Sequence, residues 1–190
     1  MRMPKKTQKR QMLWHGRKMV VESCCKGVIM KTVLCFGDSN TYGANPNLDD
    51  GMPRWPRDVR WTGVLQKLLG PEYYVIEEGY NGRTIGFHDA RDPYRCGFDA
   101  VVPILGTHSP VDLVIVMLGT NDIQSHYSAT PKTIASFLEV LIHKMKNYCT
   151  DTAKAVPEIL VVSPILIGDR IAESVYWTLD ESAPQKSREL

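Results

Sequence analysis

Residues 32–43 read TVLCFGDSNTYG. Apolar residues dominate up to Phe36; the run then stops at Gly37 and delivers Asp38, Ser39 and Asn40 into a turn. A short, nearly continuous apolar run is the pattern of a parallel strand buried on both faces, and the polar turn after it is where such strands present chemistry. Three further runs are rich in Val, Ile and Leu, YYVIEE at 73–78, DLVIVML at 112–118 and EILVVSP at 158–164, and two of the four runs are nearly continuously apolar.

The segments between these runs carry helical periodicity. Trp61, Val64, Leu65, Leu68 and Leu69 fall at helical spacing and end at Gly70-Pro71, a stop signal. Thr130 can cap a second helix with Pro131 in its first position, after which Ile134, Phe137, Leu138, Leu141, Ile142 and Met145 form one apolar stripe. A weaker helix is expected over 98–105, where Pro103 interrupts the backbone donors. Strands alternating with helices imply an α/β fold with right-handed crossovers and a parallel sheet covered on both faces.

The 190 residues suffice for one domain, assigned to 30–190. Residues 1–29 hold eight Lys/Arg and the single acid Glu22, a local +7 within a total of +2. This extension lacks the interleaved aromatics of a nucleic-acid surface, so neither nucleic acid nor membrane is expected as a partner. It is read as a disordered tail or a spurious upstream extension, since Met30 followed by KTVLCFGDSN resembles a natural start. No run approaches the length of a membrane helix and no secretory leader is recognisable, which points to a cytoplasmic protein. The five cysteines, Cys24, Cys25, Cys35, Cys96 and Cys149, have no zinc-type spacing and are read as reduced thiols; no metal site is expected.

In a parallel α/β sheet the ligand crevice lies beyond the carboxyl ends of the strands. Those ends read GDSN (37–40), EEGYNGRTIG (77–86), GTND (119–122) and SPILIGD (163–169). Ester cleavage by a serine needs a nucleophile on a tight turn, donors aimed at the developing oxyanion and a base steered by a carboxylate. Ser39 fits the nucleophile, and the backbone N–H groups of Ser39 and Gly82 with the side-chain amide of Asn121 fit the donors. Each motif alone is a common turn. Their succession at three separate strand ends favours one shared site. Asp38 and Asp122 are expected to hydrogen-bond backbone within their turns.

FGDSNTYG, NGRT and GTND resemble the first three sequence blocks of the SGNH, or GDSL-type, hydrolases, serine esterases and lipases on a flavodoxin-like three-layer sandwich. The stretches DVRWTGVL, VIEEG, DLVIVMLGTND and LVVSP are similar to the bacterial arylesterase and acyltransferase branch. The resemblance implies hydrolysis of short-chain or aryl esters through an acyl-enzyme on Ser39, with acyl transfer as a companion reaction and without metal or organic cofactor. It also implies catalytic roles for Ser39, Gly82 and Asn121, a pocket-wall position for Tyr42 that competes with plain packing of an aromatic on the first helix, and association into a homo-oligomer.

The family's fourth block, D-x-x-H, is absent: the residues three positions before His15, His88, His108, His126 and His143 are Met12, Ile85, Leu105, Ile123 and Val140. The sequence is therefore read as lacking the family's fifth strand and C-terminal helix, with APQKSREL (183–190) resembling the start of the helix before that strand. His126, five positions after Asn121, is a weak candidate for a substitute base. The alternatives to an esterase are a non-catalytic binding module or inactive fragment that keeps the crevice, and, more weakly, a phosphate or nucleotide binder, disfavoured because GDSNTYG is neither G-x-G-x-x-G nor a P-loop.

Overall fold

The computed structural model describes residues 8–14, 17–23, 30–47, 51–174 and 178–190. The chain divides into two compact units, Met1–Met30 and Lys31–Leu190. In the first, β1 (Gln8–Trp14) and β2 (Arg17–Ser23) pair antiparallel, with Met12 opposite Met19 and Gln11 opposite Val20. Composition suggested disorder for this segment. The pairing brings the apolar sequence 12–14 into register with 17–19, and Val20 and Val21 follow with strong strand propensity. A lone two-stranded hairpin is marginally stable.

In the second unit, β3 (Lys31–Gly37), β4 (Tyr73–Gly79), β5 (Leu113–Met117) and β6 (Glu158–Val161) form one parallel sheet in the order β4-β3-β5-β6. Val33 pairs with Val75 on one side and Leu113 on the other, and Leu113 in turn pairs with Glu158. Each of the four expected strands is present within a few residues of its expected bounds.

Alternation along β3 explains the layers. Leu34 and Phe36 face one core with Val114, Val116, Val101, Leu105, Ile134, Leu141 and Met145, while Val33 and Cys35 face a second core with Val75 and Ile115. The first core is closed by α3 (Gly97–His108) and α4 (Pro131–Asp151), the second by α2 (Trp61–Leu69). This is the three-layer α/β sandwich expected from the sequence. Leu34 and Phe36 are fully buried, each contributing about 1.5–3 kcal/mol from removal of apolar surface from water.

Thr130 caps α4 as expected, its Oγ1 accepting from the Thr133 N–H at 3.1 Å, with Pro131 in the first turn. α3 is longer than the sequence suggested. Pro103 lies on its exposed side, and the Thr107 hydroxyl donates to the Pro103 carbonyl at 2.9 Å. α2 has the expected span but a different buried face. Trp61, Leu65 and Leu69 pack on the sheet, whereas Val64 and Leu68 are exposed. The reason is polar: Thr62 is buried against Glu77, and the Gln66 amide donates to the carbonyls of Gly70 (3.2 Å) and Tyr73 (2.9 Å) and accepts from the Val75 N–H (2.8 Å). Gln66 satisfies backbone groups at the start of β4 and Thr62 bonds the Glu77 carboxylate further along it, so the helix turns these two side chains, and not Leu68, toward the sheet.

The short α1 (Ser39–Tyr42) leaves the end of β3, and α5 (Ala183–Glu189) packs Ala183 into the larger core. Ser187 Oγ accepts from the Ile167 N–H at 3.0 Å. Among the described residues no helix is long and apolar enough to cross a membrane.

Candidate active site

Ser39 is the first residue of α1 and is half-buried. Asp38 caps the helix: its Oδ1 accepts from the Asn40 backbone N–H at 2.9 Å and from Asn40 Nδ2 at 3.0 Å. Gly43, at φ 79°, ends the helix after one turn in the left-handed conformation that favours glycine. Two glycines let so short a helix press on the strand ends. A Cβ on Gly79 would meet the backbone nitrogen of Tyr42 at 2.0 Å, and one on Gly37 would meet Thr41 Oγ1 at 2.0 Å. Ser39 is thus held at the carboxyl end of the central strand by backbone-to-backbone contact.

The three strand-end loops are tied together by hydrogen bonds. The Tyr80 N–H donates to the Gly37 carbonyl at 3.1 Å. Arg83, buried, donates from Nη1 to the carbonyls of Gly37 (3.1 Å) and Glu78 (2.5 Å), and its guanidinium lies over the Phe36 ring at 4.5 Å. Its own carbonyl accepts from Asn121 Nδ2 at 2.9 Å. Asn121 Oδ1 accepts from Gln124 Nε2 at 3.1 Å, so both ends of the Asn121 amide are engaged while one Nδ2 hydrogen has no partner among the described residues. Burial lowers the Arg83 guanidinium to about 10, with Glu78 and then Asp38 opposing that shift by their charge, and it stays protonated at neutral pH.

Gly82 adopts φ 78°, and a Cβ there would meet Arg95 Nε at 2.6 Å. Among the described residues neither the Ser39 N–H nor the Gly82 N–H donates a hydrogen bond within the protein. Two unpaired backbone donors and a spare amide hydrogen are therefore present on three neighbouring, mutually bonded loops, all half-buried. Such a set can receive negative charge developing on a carbonyl oxygen.

Tyr42 is half-buried on α1, with the Arg54 guanidinium 4.2 Å from its ring centroid and Arg54 Nε donating to its carbonyl at 2.7 Å. Asp122 reaches beyond the expected bond within its own turn. It is fully buried and its Oδ1 accepts from the Ile85 N–H at 2.9 Å, so it clasps the preceding strand-end loop. Burial raises both acids, Asp122 to about 7. The role of Arg83 was not visible in the sequence, although the adjacent NGRT block marked its loop.

None of the described histidines hydrogen-bonds to Ser39. His108 pairs with Glu78 at 2.7 Å, His88 with Asp99 at 3.5 Å and His143 with Glu139 at 3.9 Å. His126 is exposed on a 3-10 turn, its ring centroid 4.0 Å from that of Tyr127.

Residues 35–186 match the GDSL-like lipase/acylhydrolase family, and the chain belongs to it. The native aryl esterase of M. smegmatis is similar at 41% identity and a TM-score of 0.74, over 84% of this chain and 75% of that one. Est24, a carbohydrate acetylesterase from Sinorhizobium meliloti, is similar at 35% identity and a TM-score of 0.73, over 84% and 75% of the two chains. An uncharacterized lipoprotein of Bacillus subtilis, YqeF, is 24% identical over 166 residues, 87% of this chain and 62% of the length of that relative. The SGNH resemblance of the sequence blocks is thereby borne out.

Proposed function

We propose that this chain carries the nucleophile of a serine ester hydrolase acting on short-chain or aryl esters through an acyl-enzyme on Ser39. The observation that carries the reading is the bonded chain Asn121 Nδ2 to Arg83 carbonyl, and Arg83 Nη1 to Gly37 carbonyl, which joins the loops of Asn121, Gly82 and Ser39. In this reading Ser39 Oγ attacks the ester carbonyl and its proton passes to a histidine. The oxyanion is received by the N–H groups of Ser39 and Gly82 and by the Asn121 amide. The C–O bond to the leaving alcohol then breaks, the alcohol taking the proton, and water releases the acid from Ser39. An alcohol in place of water gives acyl transfer. Tyr42 forms a wall of the acyl or aryl pocket. The aryl and acetyl ester substrates named for the two structural relatives support this substrate class.

The histidine is the component left unassigned, because no D-x-x-H occurs among these residues. That observation favours a binding-only role as the second reading. One experiment separates them: residues 30–190 extended by a family D-x-x-H segment are mixed with p-nitrophenyl acetate and with a fluorophosphonate probe. Turnover and labelling that vanish in Ser39→Ala support the esterase. Ester binding without turnover in the folded, extended chain supports the binding module. A cytoplasmic location belongs to the same proposal. Buried free thiols at Cys35, Cys96 and Cys149 accord with a reducing compartment, while the lipoprotein relative points elsewhere, and cell fractionation decides.

A further inference from the structure

The loop between β4 and α3, together with the first turn of α3, brings together three side chains that the ester chemistry does not use. His88 Nε2 lies 3.5 Å from Asp99 Oδ2, and Cys96 Sγ joins them so that all three donor atoms fall within 4.8 Å of one another. We propose that His88, Cys96 and Asp99 bind a divalent cation of the zinc class.

The donor set selects the metal. A thiolate and an imidazole suit zinc and its neighbours, whereas magnesium and calcium require a shell of oxygens. The spacing is also close to what such an ion needs. With metal–ligand bonds of about 2.0–2.3 Å, tetrahedral ligands lie roughly 3.3–3.6 Å apart. The His88–Asp99 pair already has that separation, and drawing in the two sides to Cys96 Sγ, each within 4.8 Å, requires a shift of no more than about 1.5 Å.

Cys96 is the fixed point. Its thiol residue is buried, and the backbone on either side is pinned to the NGRT loop: the Thr84 N–H donates to the Arg95 carbonyl (2.9 Å), and the Gly97 N–H donates to the Thr84 carbonyl (3.0 Å). His88 and Asp99 are about two-thirds exposed, which supplies an entry path and room for water in a fourth position. The neighbouring acid Asp89 does not compete, being held by Arg91 at 2.7 Å and Arg95 at 2.8 Å. Arg95 is also the side chain behind Gly82, so an occupied site would stiffen the wall on which one oxyanion donor rests.

The sequence also holds the thiols of Cys24 and Cys25, which lie outside the described residues, and the test removes both. The 190-residue chain carrying Cys24→Ser and Cys25→Ser is titrated with Co²⁺ and followed by absorbance, with Zn²⁺ competition. The expected result is one Co²⁺ per chain with a thiolate-to-cobalt charge-transfer band, displaced by Zn²⁺. Cys96→Ser should abolish the band. His88→Gln and Asp99→Asn, both at exposed positions, should weaken binding by about 10²-fold or more, beyond the 10- to 100-fold typical of losing an outer-shell partner. Circular dichroism confirms that each variant is folded, and the two exposed-site variants decide the matter if Cys96→Ser does not fold. Absence of a thiolate band in the parent at millimolar Co²⁺, or a cobalt affinity unchanged in both His88→Gln and Asp99→Asn, overturns the site.

Discussion

The side-chain amide of Asn121 donates to the carbonyl oxygen of Arg83 at 2.9 Å. The residue offered as an oxyanion donor is therefore itself oriented by the loop that carries a second donor, Gly82. Because Gln124 Nε2 donates to Asn121 Oδ1, the amide nitrogen is directed toward Arg83 and the oxygen away from it. In the chain extended by a D-x-x-H segment, Asn121→Ala should lower kcat by roughly 10²- to 10³-fold with little change in KM, the loss typical of one oxyanion donor. Steady-state hydrolysis of p-nitrophenyl acetate measures it. A change confined to KM would make Asn121 a substrate-positioning residue.

The approach of α1 to the sheet depends on the missing side chain of Gly79. A Cβ there would lie 2.0 Å from the Tyr42 nitrogen and 2.5 Å from the Thr41 carbonyl carbon, backbone atoms that cannot rotate away. Gly79→Ala is expected to cost about 1–3 kcal/mol, as overpacking does, and to displace Ser39. Urea unfolding should show the loss. Gly168→Ala, where an added Cβ meets nothing within 4 Å, is the control and should be neutral within about 0.5 kcal/mol.

The strands were legible because a parallel strand buried on both faces needs an apolar run, and a glycine-containing polar turn after it marks the crevice end. The face of α2 was not legible, since Thr62 and Gln66 are turned inward by the Glu77 side chain and by the start of β4, partners 7 to 15 residues away that periodicity cannot register. The block residues Ser39, Gly82 and Asn121 could be read from their motifs. Arg83 could not, because its contribution lies in its side chain reaching the carbonyls of Gly37 and Glu78 while its own carbonyl accepts from Asn121. The grouping of His88 with Cys96 and Asp99 was equally hidden: a mixed donor set brought together by a loop and the first turn of α3 has none of the paired-cysteine spacing that announces a zinc site.

Asp122 should make stability fall as pH rises. Burial is the first cause that lifts its carboxyl, from 3.8 to about 7, outweighing the hydrogen bond from the Ile85 N–H, and the nearby Asp38 adds to the rise. Between about pH 4 and pH 7 the folded state then holds a proton that the unfolded state has released, so this group's contribution is full below pH 4 and is lost as pH climbs to about 7. Asp122→Asn keeps an oxygen to accept from Ile85 and cannot ionise. It should flatten the decline, leaving the variant more stable than the parent at pH 7.5 by an amount on the order of 1–4 kcal/mol. Urea midpoints at pH 5 and pH 7.5 provide the check, and equal pH slopes would place the ionisation elsewhere.

The far side of β6 has no strand partner among the described residues, and apolar side chains gather there and just beyond. Leu160 and Val161 are about half exposed, and Ile165 and Leu166 more so. An open edge with apolar neighbours invites association. Ile165→Lys with Leu166→Lys should raise soluble yield and reduce light scattering, at a stability change of about 0.5 kcal/mol or less per site. Unchanged scattering would show that other surfaces drive any association.

A serine hydroxyl is a poor nucleophile until a base takes its proton, and residues 1–190 hold five histidines with no acid three positions before any of them. Three of the described histidines are paired with Glu78, Asp99 and Glu139, and His126 lies against Tyr127 on an exposed turn. In a comparable serine hydrolase, loss of the histidine alone costs about 10⁶-fold in kcat. Residues 1–190 produced alone should therefore hydrolyse p-nitrophenyl acetate no faster than their own Ser39→Ala variant, and Ser39 should resist fluorophosphonate labelling. Adding a D-x-x-H segment should restore both. If the 190 residues alone turn the ester over and Ser39→Ala abolishes it, a base lies within them, and His126, on the loop that follows Asn121, becomes the first residue to replace.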